Sequence, residues 1–351
     1  MIVSGLNGKL QLLVPSNNKD KDDSLPCVCP PRKVNLDVDT ISKFSIGSSH
    51  SVFLTSDGRI FAAGNDKDFS IGTPTATIFK ELTEIQIKGL SSPISQVFCG
   101  QDYTMYLADD GHLAFCTNFF NERVPIICEL PTKPLFLSGG LNRPLVIDTN
   151  GDLYVFQRNP KKTPFSFTFN EPVFDACLLD EHEVIIVVLI SGKVMIKDPD
   201  KVDFRYLDTF DEKIRNIFGY SSHCIAISES GRAFSLGSNE SGQLGDGTTN
   251  DSFAFVEVKF PNSGIKVVNA SVGCDYSLFV TDDGKLYGCG GNCYGELMQN
   301  VLNRKSTTTP KLCCFSEKVV HVFTGNNSSI ALVDGKPPVH EGYEFFKDKM
   351  L

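Results

Sequence analysis

Several things are missing from this chain, and each absence excludes a class of protein. No apolar run reaches the roughly 18 residues that a membrane-crossing helix requires. The N-terminus has no basic region followed by an apolar core, so no signal peptide is expected and the chain is placed inside the cell, in cytoplasm or nucleus. No stretch sustains a helical period, which argues against a helical fold. The 351 residues carry a net charge of −9 and no dense basic patch, so neither a membrane nor a nucleic acid is expected as a direct partner. There is no GxSxG elbow, no GxxxxGK phosphate cradle and no GxGxxG following a strand. His182-Glu183 opens like a zinc-protease motif, but Ile186 stands where the second His belongs. The 12 cysteines, in a chain with no export signal, read as reduced thiols. Cys289, Cys293 and the Cys313-Cys314 pair lack the CxxC and His-pair spacing of a metal centre. No catalytic residue for bond-making chemistry, no metal and no cofactor is therefore expected. Tryptophan is absent altogether.

What is present is repetition. An apolar strand ends in Gly, a short turn follows, then a second apolar strand, a tight turn with Gly, and a third strand. Clear copies are GSSHSVFLTSDGRIFAAGND (47–66), GYSSHCIAISESGRAFSLGSN (219–239) and GCDYSLFVTDDGKLYGCGGN (273–292). The tight-turn glycines are Gly58, Gly111, Gly151, Gly192, Gly231, Gly284 and Gly335, separated by 53, 40, 41, 39, 53 and 51 residues. Asp, Asn or Ser precedes each one, as hairpin turns with positive φ favour. Val184–Ile190 is apolar throughout and suits a strand buried on both faces. A repeat of this length with three or four strands is one blade of a β-propeller.

The reading is an all-β, seven-bladed β-propeller, with residues 1–338 as one domain and 339–351 as a tail. The last copy stops after two strands. Residues 1–7 resemble a third strand and residues 31–36 a fourth. The N-terminus is therefore expected to complete the C-terminal blade, which is shared by about 1–36 and 317–335 and closes the ring.

Nine residues before each turn glycine lie Ser49, Asp102, Asn142, Glu183, Ser222, Asp275 and Asn326. The next column is His50, Tyr103, Arg143, Val184, His223, Tyr276 and Asn327. Both fall in the turn between the first two strands and are expected to ring one mouth of the central channel. The first column holds three acids and no base, which suits a basic partner surface. Asp, Asn and Ser at such places also cap turn backbone groups. The candidate partner-binding set is Asp102, Asp275, Glu183, His223, His50, Asn142 and Arg143.

The segment GSNESGQLGDG (237–247), with the hairpin before it, closely resembles the repeat of the regulator of chromosome condensation family. Gly290–Leu297 is a weaker copy and Gly5–Leu10 weaker still, and all seven copies fit the family skeleton. The resemblance implies a seven-bladed propeller. Its best-known member exchanges nucleotide on the small GTPase Ran, using the rim and a protruding wedge. By that resemblance Asp102, Asp275 and His223 would hold the GTPase. The sequence departs from the family in several places. Ala63, Leu236 and Cys289 stand where repeats often carry Trp. Copies three and four lack the Gln-Leu-Gly loop. The wedge position, Thr117–Val124, is short, and Asn142 replaces an acid. No basic tail is present. The expectation is a monomeric propeller that binds a protein partner through an acidic rim, linked to small GTPase regulation. The alternative is an active exchange factor for a Ran-type GTPase. The loop Asn65–Gly72 has apolar residues suited to a protrusion, and the tail segment Glu341–Lys347 carries three aromatics that would pack on a blade or meet a partner.

Overall fold

A computed structural model describes residues 1–7, 11–13, 27–33, 41–117, 123–299 and 305–333. They form seven antiparallel sheets of four strands each, with no helix among the described residues. The inner strands are Ile41–Ile46, Ile94–Cys99, Pro134–Gly139, Val173–Leu179, Ile214–Gly219, Val267–Val272 and Val319–Thr324. Each packs on the inner strands of the blades beside it, and Val319–Thr324 of blade seven packs on Ile41–Ile46 of blade one. The ring is closed.

This geometry explains the apolar runs. The second strand of a blade has a neighbouring blade on each face, so side chains pointing either way are buried. His50–Thr55, Tyr103–Ala108, Val184–Leu189, His223–Ser228 and Tyr276–Thr281 are buried at every position. Outer strands such as Ile78–Ile85 and Ser252–Glu257 are largely exposed and carry the charge. Inner strands of different blades share no ladder, so side chains tie them. Gln96 Oε1 accepts from Leu137 N, Asp175 Oδ2 from Ile217 N, and Asn269 Oδ1 from Val322 N.

Blade seven is assembled from both ends of the chain. Ile2–Leu6 pairs with Ser328–Val333, and Cys27–Lys33 pairs outside it. The outer strand starts four residues before the position the sequence suggests. This clasp places Met1, Val3, Leu12 and Val28 in one core with Phe44, Phe53 and Ile330. The turn at Gly335 and the aromatic tail segment lie outside the described residues.

Among the described residues, four blades carry a loop braced by one bond, in which an Asn or Asp side chain accepts the backbone N–H five residues on. The pairs are Asn7–Leu12, Asp66–Ile71, Asn239–Leu244 and Asn292–Leu297. Asn65–Gly72 is therefore not a protrusion. Phe69 and Ile71 are buried against blade two, where the Tyr106 hydroxyl donates to Ile71 O at 2.7 Å. The blade-five copy puts Gly242 and Gly245 at two left-handed positions. Elsewhere Phe69, Leu13 and Met298 accept positive φ at the corresponding places, at the steric cost a side chain pays there.

The candidate partner-binding face

The turns between inner and second strands lie at one end of the channel. Backbone bonds join several of them across blades: Gln101 N donates to Leu141 O (2.7 Å), Leu141 N to Tyr220 O (2.8 Å), Glu181 N to Ser221 O (3.2 Å) and Cys274 N to Asn326 O (3.0 Å). Strand pairing fixes the register of the two columns. In blade one Gly47 N meets His50 O, leaving Ser48 and Ser49 as the turn. By the same criterion Asp102, Asn142, Ser222 and Asp275 are equivalent to Ser49. In blade seven Gly325 N meets Ser328 O, so Asn327 takes that place, and counting back from Gly335 is one residue out. In blade four Leu179 pairs with Val184, so the turn runs over four residues, Asp180–Glu183, and ends in Glu183 at φ 52°.

The second column points into the structure. His50 and His223 are fully buried and do not belong to the rim surface. His50 Nε2 meets Thr104 Oγ1 of the next blade at 2.8 Å, and His223 Nε2 meets Ser277 Oγ at 2.9 Å. Tyr103 and Tyr276 make the same reach with their hydroxyls, to Gly140 O and to Ser328 O. These rings lie over the glycines that end the inner strands. A Cβ on Gly100 would sit 2.0 Å from Tyr103, and one on Gly273 1.9 Å from Tyr276. Burial holds His50 down at about 4 and His223 at about 3, so both are neutral at pH 7.

The acids of the first column behave differently. Asp102 is exposed, yet partial burial raises its carboxyl, with repulsion from Asp68 adding and Arg158 partly offsetting. Asp275 is half-buried and also raised by burial. Its Oδ2 accepts from Ser241 Oγ at 3.2 Å, while its Oδ1 is shielded from solvent and has no hydrogen-bond partner. Gly291 lies so close that a Cβ there would sit 2.2 Å from Asp275 Oδ2. Glu181 and Glu183 are exposed on the long turn of blade four. Arg143 is not a free cation, because its Nε donates to Asp180 Oδ1 at 3.0 Å. Asn142 N donates to Asp180 Oδ2 and its side-chain oxygen accepts from Arg158. Sequence spacing missed Asp180 and Tyr220. The first lies in the lengthened turn, and the second replaces the glycine that ends most inner strands. The apolar runs do not signal either one. Among the described residues, no group of three or more His, Cys, Asp or Glu side chains is arranged to hold a metal ion.

The profile described as Regulator of chromosome condensation (RCC1) repeat matches residues 230–280 and 283–332, and a second profile of the same description matches 41–69. The chain is 22% identical over 298 residues to the X-linked retinitis pigmentosa GTPase regulator homolog of Caenorhabditis elegans, covering 78% of this chain and 21% of that protein. It is 30% identical over 118 residues to the Secretion-regulating guanine nucleotide exchange factor of Mus musculus, covering 34% of this chain and 25% of that one. The chain thus spans about a fifth to a quarter of these relatives' length. Prp20p of Saccharomyces cerevisiae, whose structure was described with its binding to Gsp1p and histones, superposes with TM-score 0.78 at 15% identity, over 99% of this chain and 94% of that one. Human WBSCR16 superposes with TM-score 0.75 at 16% identity, over 95% of this chain and 99% of that one. Sheet count and ring closure make the chain a seven-bladed propeller, and the profiles show that it carries regulator of chromosome condensation repeats at residues 41–69, 230–280 and 283–332.

Proposed function

We propose that the protein is an interaction module acting inside the cell, and that its acidic turn face receives a basic surface of a protein partner in small GTPase regulation. The observation that carries this reading is Asp275. It keeps a carboxylate oxygen away from water with no donor on it, and Asp102 in the equivalent turn is also raised by burial. A partner's Lys or Arg placed against the half-buried carboxylate would offset the cost of holding such a charge. Glu181 and Glu183 extend the same sign of charge outward, while Arg143 and Asn142 are occupied by Asp180 and Arg158. The names of the relatives, a GTPase regulator homolog and a guanine nucleotide exchange factor, direct the choice of partner toward small GTPases.

The test is a binding titration against purified small GTPases in nucleotide-bound and nucleotide-free forms. Asp102→Asn with Asp275→Asn is expected to weaken binding about tenfold or more, and wild-type affinity to fall as salt rises. Binding that is indifferent to both substitutions would remove this face from the interaction. The second reading, an active exchange factor for a Ran-type GTPase, is favoured by the mouse relative's name. Release of labelled nucleotide, faster with the protein than without it, separates the two.

A further inference from the structure

The channel itself holds a second candidate site, independent of the acidic turns. The inner strands enclose a cavity of about 250 Å³. Its wall carries Phe44, Phe98, Phe136, Phe218 and Phe323 from five different blades, interleaved with the hydroxyls of Ser45, Ser138, Ser271 and Thr324, which are hydrogen-bonded between blades. Among the described residues that line it, no unpaired charge faces the cavity. Both oxygens of Asp175 accept backbone N–H groups, from Ala176 and Ile217. His321 has Nε2 against Asn269 Nδ2 and Nδ1 against Val322 O, which fixes it as a neutral ring donating through Nδ1. At the turn end of the cavity stands Tyr220, which is 5% exposed and whose hydroxyl has no hydrogen-bond partner. The Ser48 hydroxyl of blade one lies beside the Tyr220 hydroxyl and favours its ionised form, but the two do not meet in hydrogen-bond geometry and neither has another partner. Tyr220 belongs to blade five, so its side chain crosses toward the far side of the ring.

We propose that this cavity binds a small neutral aromatic molecule bearing one hydroxyl, with the ring among the five phenylalanines and the hydroxyl on Tyr220 and Ser48. An apolar cavity with a few convergent polar atoms at one end is the ordinary form of a small-ligand site. Cavities of roughly 150 Å³ already accept benzene, so this one has room for a substituted ring. A charged ligand would lose its hydration without gaining a counter-ion. A buried hydroxyl left unpaired favours any ligand that can pair it.

The probe is phenol, with benzene as the comparator lacking the hydroxyl, titrated into the full chain labelled at Ile and Val methyl groups. Saturable one-to-one binding is expected, with shifts concentrated on Ile217 and Val272, which line the cavity. Tyr220→Phe is expected to weaken phenol about tenfold and leave benzene unchanged. That variant deletes only an unpaired hydroxyl, so its melting temperature is expected to match wild type. If Tyr220→Phe proves unstable, Ser48→Ala carries the same comparison. Non-saturable binding, shifts confined to surface methyls, or equal phenol affinity in wild type and both variants would overturn the proposal.

Discussion

Glu296 shows how one residue sets a pH response. It occupies the place in blade six that Gln243 holds in blade five, and the two make equivalent bonds: Gln243 Oε1 accepts from Ser241 N and Glu296 Oε2 from Tyr294 N. Glu296 is 1% exposed, and burial, with Asp275 adding repulsion, raises its carboxyl to about 7. The folded state therefore holds a proton that the unfolded chain releases near pH 4.5. Its contribution to stability falls as pH rises from about 4.5 to about 7 and stays low above that. At about 1.4 kcal/mol per unit the loss is about 3 kcal/mol. Glu296→Gln is expected to raise the urea midpoint at pH 8 by an amount consistent with that figure and to leave it unchanged near pH 4. Equal midpoints at pH 8 would mean that the carboxylate finds another donor. His50 and His223 act in the opposite sense. Their folded values, about 4 and about 3, lie below the ordinary value near 6.5, so the folded state holds fewer protons. Each costs stability as pH falls below about 6.5. Between pH 6.5 and 4.5 three histidines, with buried His321 also held at about 4, oppose Glu296, and a net loss of several kcal/mol is expected. Substituting His223→Gln is expected to flatten the fall in midpoint over that range. An unaltered slope would show that acid enters elsewhere.

At the scale of the loop, the brace in blade one differs from its counterparts by a charge. Asn7, Asn239 and Asn292 are neutral, whereas Asp66 is fully buried. Its counter-ion comes from the next blade, where Arg123 Nη2 lies 2.8 Å from Asp66 Oδ2. Arg123 also donates to the carbonyls of Asp66, Lys67, Thr73 and Thr75 and stacks over Phe69, so one side chain fixes the whole loop. Removing one partner of a buried pair leaves the other unpaired, at roughly 3–5 kcal/mol. Arg123→Ala is therefore expected to destabilise by that order. Adding Asp66→Asn, which restores the brace used by the other copies, is expected to recover part of the loss. A double variant no more stable than Arg123→Ala would show that the carbonyl contacts, rather than the charge, set the cost.

For the molecule as a whole, the clasp decides whether a ring exists. Without residues 1–33, the strand Ser328–Val333 would present an unpaired edge, and Met1, Val3, Leu12 and Val28 would leave a shared core. Burial of such side chains is worth about 1.5–3 kcal/mol each, and their sum rivals the 5–15 kcal/mol that typically separates folded from unfolded states. The truncated chain is expected to lose its cooperative thermal transition by circular dichroism. A melting temperature within about 2 °C of the full chain would show that the ring closes without it.

The sequence by itself determined the architecture, because repetition and turn chemistry are local: each Asp-Gly, Asn-Gly or Ser-Gly turn marks a hairpin, and seven hairpins with two spare strands leave one way to close. It also determined which turns carry Asp102 and Asp275. It did not determine where the neighbouring column points. His50 and His223 read as rim residues because a count gives register but not the direction of a side chain, and only the next blade's Thr104 and Ser277 draw the rings inward. The apolar residues of Asn65–Gly72 were legible as a loop, but the blade that covers them is distant in sequence. Arg143 read as a partner-binding rim residue, and only the two-residue longer turn of blade four brings Asp180 to it. Tertiary structure decided these points because each depends on a partner 35 to 54 residues away in sequence, and which residues meet across that separation is set by how the blades pack.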